Sequence, residues 1–213
     1  MRLSDYQLAI AWQSQSLMLA YPDEQLPGNA VLVRQALGRL PAPVADPLAH
    51  FLDHVATTPL LQLATDYVAT LDHKKRCSLF LTYYAHGDTR NRGVALLRLK
   101  QTYQRAGLIL VDDELPDHLA VVLEFAAASD PDAALRLRCS HRAGIELLRL
   151  ALREENSPWT HVLESISATL PELGGDELTA VARLAAQGPP EEQVGLAPFA
   201  PPEYMPEPAG GQR

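Results

Sequence analysis

The sequence predicts an all-α protein: a single-domain helical bundle over residues 1–187, followed by a Pro-rich tail over 188–213. Three observations carry this. Leu and Ala dominate the apolar residues while Ile and Val are few, which favours helix over sheet. Helix start and stop signals recur at short intervals, and segments of alternating polarity are essentially absent; only Leu108–Val111 has the character of a strand. From Gly188 onward seven prolines fall in 26 residues, a composition that cannot bury a core and is expected to be extended or disordered.

The elements follow in order. Ser4 with Gln7 reads as a capping box opening a helix that carries Leu8, Ala11, Trp12 and Leu19 and stops near Tyr21-Pro22. A second helix is predicted over about 28–40, ending before Pro41. A third starts near Asp46-Pro47, with Leu48, Phe51, Leu52 and Val55 at helical spacing. Thr58-Pro59 opens a fourth, on which Leu60, Leu63, Tyr67 and Leu71 share a face. A short helix is expected over 76–85, and Asp88 is placed to cap a basic helix that stops at Gly107. Pro116 suits the first turn of the next helix, to about Ser129. Asp130-Pro131 starts a long one to about Glu155, Ser157-Pro158 another, and Asp176 caps the last, which ends near Gly188.

Composition excludes several classes of function. Cys77 and Cys139 form no CxxC pair, which argues against a disulfide scaffold or a cysteine-built metal site. No apolar run approaches the roughly 20 residues of a membrane span, and the N-terminus lacks the pattern of an export signal, so the expected location is the cytoplasm. Neither GxxxxGK[ST] nor GxGxxG occurs, so no nucleotide site is legible, and no cofactor is expected. His50 and His54 have a chelating spacing, but Phe51 stands where HExxH needs Glu; surface coincidence is the expectation and no metal is assigned. Charge is bipolar: residues 72–106 hold eight cations against two carboxylates, whereas 107–213 hold seven against eighteen. With a net charge of −8, nucleic-acid binding by the basic helix is set aside.

Two stretches stand out. In Glu114-Leu115-Pro116-Asp117-His118-Leu119, continuing to Glu124 and Phe125, a helix would place Asp117 and Glu124 seven residues apart on one face, beside Ala120 and Ala128. That is an acidic floor on an otherwise apolar helix, extended upstream by Asp112 and Asp113. A bland alternative stays open, in which Asp117 complements the helix dipole and Glu124 pairs internally. Asp117 and His118 could suggest a small hydrolase, but adjacent helical residues point about 100° apart and no nucleophile motif accompanies them. The second stretch, residues 72–93, crowds Phe80, Tyr83 and Tyr84 into five positions; such rings suit a peptide groove or a core equally well.

Taken together, Arg76-Cys77-Ser78-Leu79-Phe80-Leu81-Thr82-Tyr83-Tyr84, Gly87-Asp88-Thr89-Arg90, Ala95 to Lys100, Glu114 to Leu119 and Val122-Leu123-Glu124-Phe125 resemble the delta-subunit chaperones of respiratory nitrate reductase. These form the NarJ group within the TorD/DmsD-like redox-enzyme maturation proteins. The similarity covers roughly residues 6–185. It implies an all-helical chaperone, not an enzyme, that binds the basic, amphipathic N-terminal region of the apo catalytic subunit. Binding would keep the client off its membrane anchor until molybdenum cofactor and iron–sulfur insertion, with direct contact to cofactor-delivery proteins left open. A related molybdoenzyme is the alternative client. The family's Pro-Asp-His segment and neighbouring aromatic helix, associated with peptide recognition, fall on Pro116, Asp117, His118, Phe80, Tyr83 and Tyr84. Glu124 is added from the helical-face argument. His118, placed at a helix start, is expected to be neutral at pH 7.

Overall fold

The computed structural model describes residues 3–110, 114–129, 140–172 and 174–187, which form ten α-helices and, among them, no strand. Helix α1 (Asp5–Leu19) begins at the expected capping box, with Ser4 Oγ accepting from Gln7 N–H at 3.2 Å and Gln7 Oε1 accepting from Ser4 N–H at 3.1 Å. It ends as Ala20 turns extended, two residues before Pro22. Apolar residues are buried on α1, but so are Ser14, Gln15 and Ser16, because the helix is enclosed on several sides. Gln15 donates to Ser165 Oγ (2.9 Å), Ser16 to the Ala120 carbonyl (2.8 Å) and Trp12 Nε1 to Thr169 Oγ1 (3.2 Å). These bonds offset the cost of removing polar groups from water.

Helix α2 (Leu26–Leu37) starts two residues earlier than expected, with Pro27 in its first turn, where a missing N–H costs nothing. Helix α3 (Ala42–Thr57) starts at Pro41 and not at Asp46-Pro47. Pro43 fits its first turn, and Pro47 removes one hydrogen bond near the helix start, a loss set against full burial of Val44 and Leu48. Helix α4 (Leu60–Tyr67) passes through a π-turn at Val68–Asp72, and Leu63, Tyr67 and Leu71 are buried as the spacing required.

The short helix expected over 76–85 is instead three pieces: a 3-10 turn at Lys75–Cys77, an extended step through Ser78 to Phe80, and α5 (Leu81–His86). The basic helix is α6 (Arg90–Arg105), and Gly107 follows it at φ +79°, the left-handed conformation that glycine tolerates. Thr89 and not Asp88 occupies the cap position; Asp88 pairs with Arg92 and Lys75. Residues 108–110 form no strand, and Val111 lies outside the described residues.

Helix α7 (Leu119–Ala128) begins three residues after Pro116, and α8 (Arg142–Glu154) follows a break at His141. The expected start at Asp130-Pro131, Cys139 and the 188–213 tail lie outside the described residues. Helix α9 (Trp159–Ala168) follows Ser157-Pro158 as expected, and α10 (Gly175–Gln187) closes the described chain.

Most buried apolar side chains among the described residues join one cluster, with Leu99, Tyr103 and Phe125 apart from it. Helix α1 lies along α7, α9 packs on α3, α8 and α1, α2 covers α3 and α1, and α10 covers α8. Trp159 is its aromatic centre, with Phe51 at 5.9 Å and Tyr67 at 5.5 Å between ring centroids. One feature had no signal in the sequence: Arg142 and Glu146 on α8 are nearly fully buried. Glu146 pairs with Arg142 (3.1 Å) and Arg149 (2.8 Å) and accepts from Ser167 (2.7 Å), so its charge is compensated inside the bundle.

Candidate functional site

The two unusual stretches of sequence meet in space. Leu79 to Leu81 runs antiparallel to Asp117 to Leu119 as an isolated β-bridge centred on Phe80 and His118. Leu81 N–H donates to the Asp117 carbonyl (3.0 Å) and Leu119 N–H to the Leu79 carbonyl (2.9 Å). This pairing holds both segments extended, which is why α5 and α7 begin later than local signals suggest. Pro116 is held outside α7 by a third bond, from Tyr103 Oη to its carbonyl at 2.6 Å.

The consequence for Asp117 is a correction. It precedes the helix, so it shares no helical face with Glu124, and its side chain is fully buried. One carboxylate oxygen accepts from both the backbone N–H (3.2 Å) and the hydroxyl of Thr82, with the Arg92 guanidinium 3.8 Å away. Asp117 therefore ties the start of α5, the first turn of α6 and the α7 approach together. Arg92, which the sequence did not single out, also bonds Thr82 Oγ1 (3.3 Å) and lies 5.6 Å from the Phe80 ring centre.

The aromatic residues divide. Phe80 is half-buried with its ring edge-on to His118 at 5.4 Å. Tyr84 is buried, its hydroxyl donating toward the carbonyls of Ser78 (2.9 Å) and Arg76 (3.1 Å), and burial raises its pKa well above the tyrosine range. Tyr83 stacks edge-on against Tyr84 at 5.9 Å. Tyr84 belongs to the α5–α8 contact, its ring meeting Gly144, and half-buried Tyr83 does not line the surface that Phe80 reaches.

That surface is a groove of about 430 Å³ between α1 and α7. Leu17, Ala20, Tyr21, Leu115, Val121 and Phe80 form its apolar lining, and His118, Glu114 and Glu124 its polar one. Glu114 and Glu124 are exposed and make no ion pair among the described residues. Val121 and both glutamates also line a second hollow of about 180 Å³, bordered by Leu108, Ile109 and Phe125, so the two hollows adjoin. Burial pushes the His118 imidazole below its ordinary 6.5, against the opposing pull of Asp117 and Asp72. The expected neutrality stands in direction, with desolvation as its leading cause.

Asp112 and Asp113, the upstream part of the expected acidic floor, lie outside the described residues. Tyr21, the groove's most exposed ring, sits edge-on to Tyr67 at 5.6 Å. Its position just after α1, in Tyr21-Pro22, was legible as a helix end but carried no hint of a binding surface. Among the described residues no group of three His, Cys, Asp or Glu side chains gathers as a metal site, and the His50 ring packs against His161 at 5.5 Å.

Comparison with known proteins gives this geometry a family. The model of the nitrate reductase delta subunit family matches residues 37–164, which include the bridge, α6, α7 and Glu124. The chain belongs to the nitrate reductase delta subunit family. It is 32% identical over 169 residues to the probable nitrate reductase molybdenum cofactor assembly chaperone NarJ of Bacillus subtilis, covering 78% of this chain and 90% of that one. It is 35% identical over 115 residues to the Escherichia coli chaperone NarJ, covering 53% and 49%. To the nitrate reductase-like protein NarX of Mycobacterium tuberculosis it is 38% identical over 160 residues, 75% of this chain but only 24% of that protein. The family member described here thus spans about a quarter of the mycobacterial relative's length. No described helix is long and apolar enough to cross a membrane.

Proposed function

We propose that this chain is a dedicated assembly chaperone for nitrate reductase. It binds the basic, amphipathic N-terminal segment of the apo catalytic subunit while molybdenum cofactor and iron–sulfur centres are inserted, before membrane attachment. The observation that carries this reading is the α1–α7 groove, an apolar trough with Glu114 and Glu124 left without ion-pair partners among the described residues. An amphipathic helix can lay its apolar face on Leu17, Val121 and Phe80 while its cations meet the two glutamates. Relatives named as nitrate reductase molybdenum cofactor assembly chaperones support the reading. The Asp117/His118 hydrolase reading loses its geometric basis, because Asp117 is enclosed by Thr82 and Arg92 and reaches no substrate.

The test is fluorescence anisotropy with a labelled N-terminal peptide of the catalytic subunit. Affinity should fall as salt screens the glutamates. The double variant Glu114→Gln, Glu124→Gln should weaken binding by about tenfold and flatten the salt dependence, at roughly 0.5–1 kcal/mol per exposed charge contact. Affinity and salt dependence unchanged by the double variant would reject the groove as the client site.

A further inference from the structure

The molecule carries on its own surface a helix of the kind its groove is read to accept. Helix α6 contains five cations and no carboxylate. Arg92 turns inward to Asp117 and Asp88, but Arg98, Lys100 and Arg105 are exposed and make no ion pair among the described residues. Between them Val94 and Leu97, one turn apart, are 51% and 57% exposed, on the side opposite buried Leu99 and Tyr103. An exposed aliphatic stripe flanked by unpaired cations is an amphipathic basic helix about 24 Å long.

We infer that the free chain self-associates, with the exposed face of α6 from one copy seated in the α1–α7 groove of another. The inference rests on the client-groove reading above. Charge complementarity selects the occupant: the groove presents Glu114 and Glu124 over an apolar floor, and α6 presents Arg98, Lys100 and Arg105 around Val94 and Leu97. Within one copy the two cannot meet, because the stripe points away from the face that α6 packs on its own body. The C-terminal end of α6 borders the second hollow through Tyr103, so donor helix and acceptor groove are neighbours in each copy, as a reciprocal two-fold exchange requires. The client segment and α6 then compete for one groove, so client arrival converts the dimer to a one-to-one complex.

Sedimentation equilibrium of the full chain tests this. At low salt the apparent mass should rise with concentration from 23.3 kDa towards twice that value, and high salt should return it to the monomer. Leu97→Glu, at an exposed site, and Glu124→Lys should each weaken association by about tenfold or more. Mixing Arg98→Glu with Glu124→Lys should restore it in part. The labelled client peptide should dissociate the wild-type dimer and still bind Leu97→Glu. A chain that binds peptide yet stays monomeric overturns this inference and leaves the groove reading intact; failure of the peptide to bind removes both. Self-association that survives Glu124→Lys, or sedimentation with anionic vesicles that requires Leu97 while the chain stays monomeric, assigns α6 to another partner and overturns the proposal.

Discussion

Replacing Asp117 with Ala should unfold the chain more readily without touching the client surface directly. The carboxylate is fully buried and accepts two hydrogen bonds from Thr82, with Arg92 3.8 Å away and only partly exposed. Truncation leaves the Thr82 backbone N–H without its acceptor at the start of α5. It also leaves Arg92 with Asp88, at 3.3 Å on the surface, as its remaining carboxylate. Hydrogen bonds to a charged acceptor are worth about 1.5–3 kcal/mol each, and breaking a buried ion pair costs about 3–5 kcal/mol. These overlap, so the expected loss is about 3–5 kcal/mol, a fall in Tm of about 10 °C for a chain of this size. Urea denaturation measures the stability. Peptide anisotropy, at a temperature where both proteins are folded, measures binding. Glu124→Gln should show the reverse pattern, with stability within about 0.5 kcal/mol of wild type and weakened, less salt-sensitive binding. An Asp117→Ala protein as stable as wild type but unable to bind peptide would refute the assignment of Asp117 to the interior.

The remaining expectations are more local. His118 and His141 are both held below 6.5, with burial the leading cause, so the fold favours their neutral forms and the unfolded chain takes up protons first as pH falls. Stability should be steady above about pH 6.5 and decline below it, and His118→Phe should lessen the decline in a Tm-against-pH series. In the same direction, protonating His118 places a cation in the groove, so affinity for the basic peptide should drop as pH falls through its lowered pKa; affinity that rose would contradict this. Gly144→Ala would set a methyl group 3.0 Å from the Tyr84 side chain, whose hydroxyl is anchored by two carbonyls and cannot yield. A loss of about 1–3 kcal/mol in urea denaturation is expected.

Most helices were legible because their signals are local. The Ser4–Gln7 box, the prolines before α4 and α9, Gly107 after α6 and the spacing of Leu63, Tyr67 and Leu71 each act within a turn or two of chain. The family resemblance pointed to Phe80 and to Pro116 to His118, segments that the bridge brings together. What failed was orientation. Read as a helix, Pro116 to Glu124 put Asp117 on the groove floor; the bonds from Leu81 to Asp117 and Leu119 to Leu79 keep Pro116 to His118 out of the helix and turn the Asp117 side chain inward. Tyr84 went the same way, its hydroxyl fixed by the carbonyls of Arg76 and Ser78, with half-buried Tyr83 edge-on to its ring.

The sequence by itself determined that this chain is a helical bundle, where most of its helices begin or end, and that its middle is basic and its remainder acidic. Periodicity, caps and charge are properties of neighbouring residues. Only the tertiary structure decided which carboxylates lie exposed at the groove and which hold the fold together. Asp117 and Glu124 are the same kind of charge seven positions apart, yet a pairing of His118 with Phe80, far upstream in a strand-like segment, buries one beside Thr82 and Arg92 and leaves the other at the groove. A contact that distant in sequence leaves no periodic trace, and its energy comes from desolvation and geometry that exist only once the helices have packed.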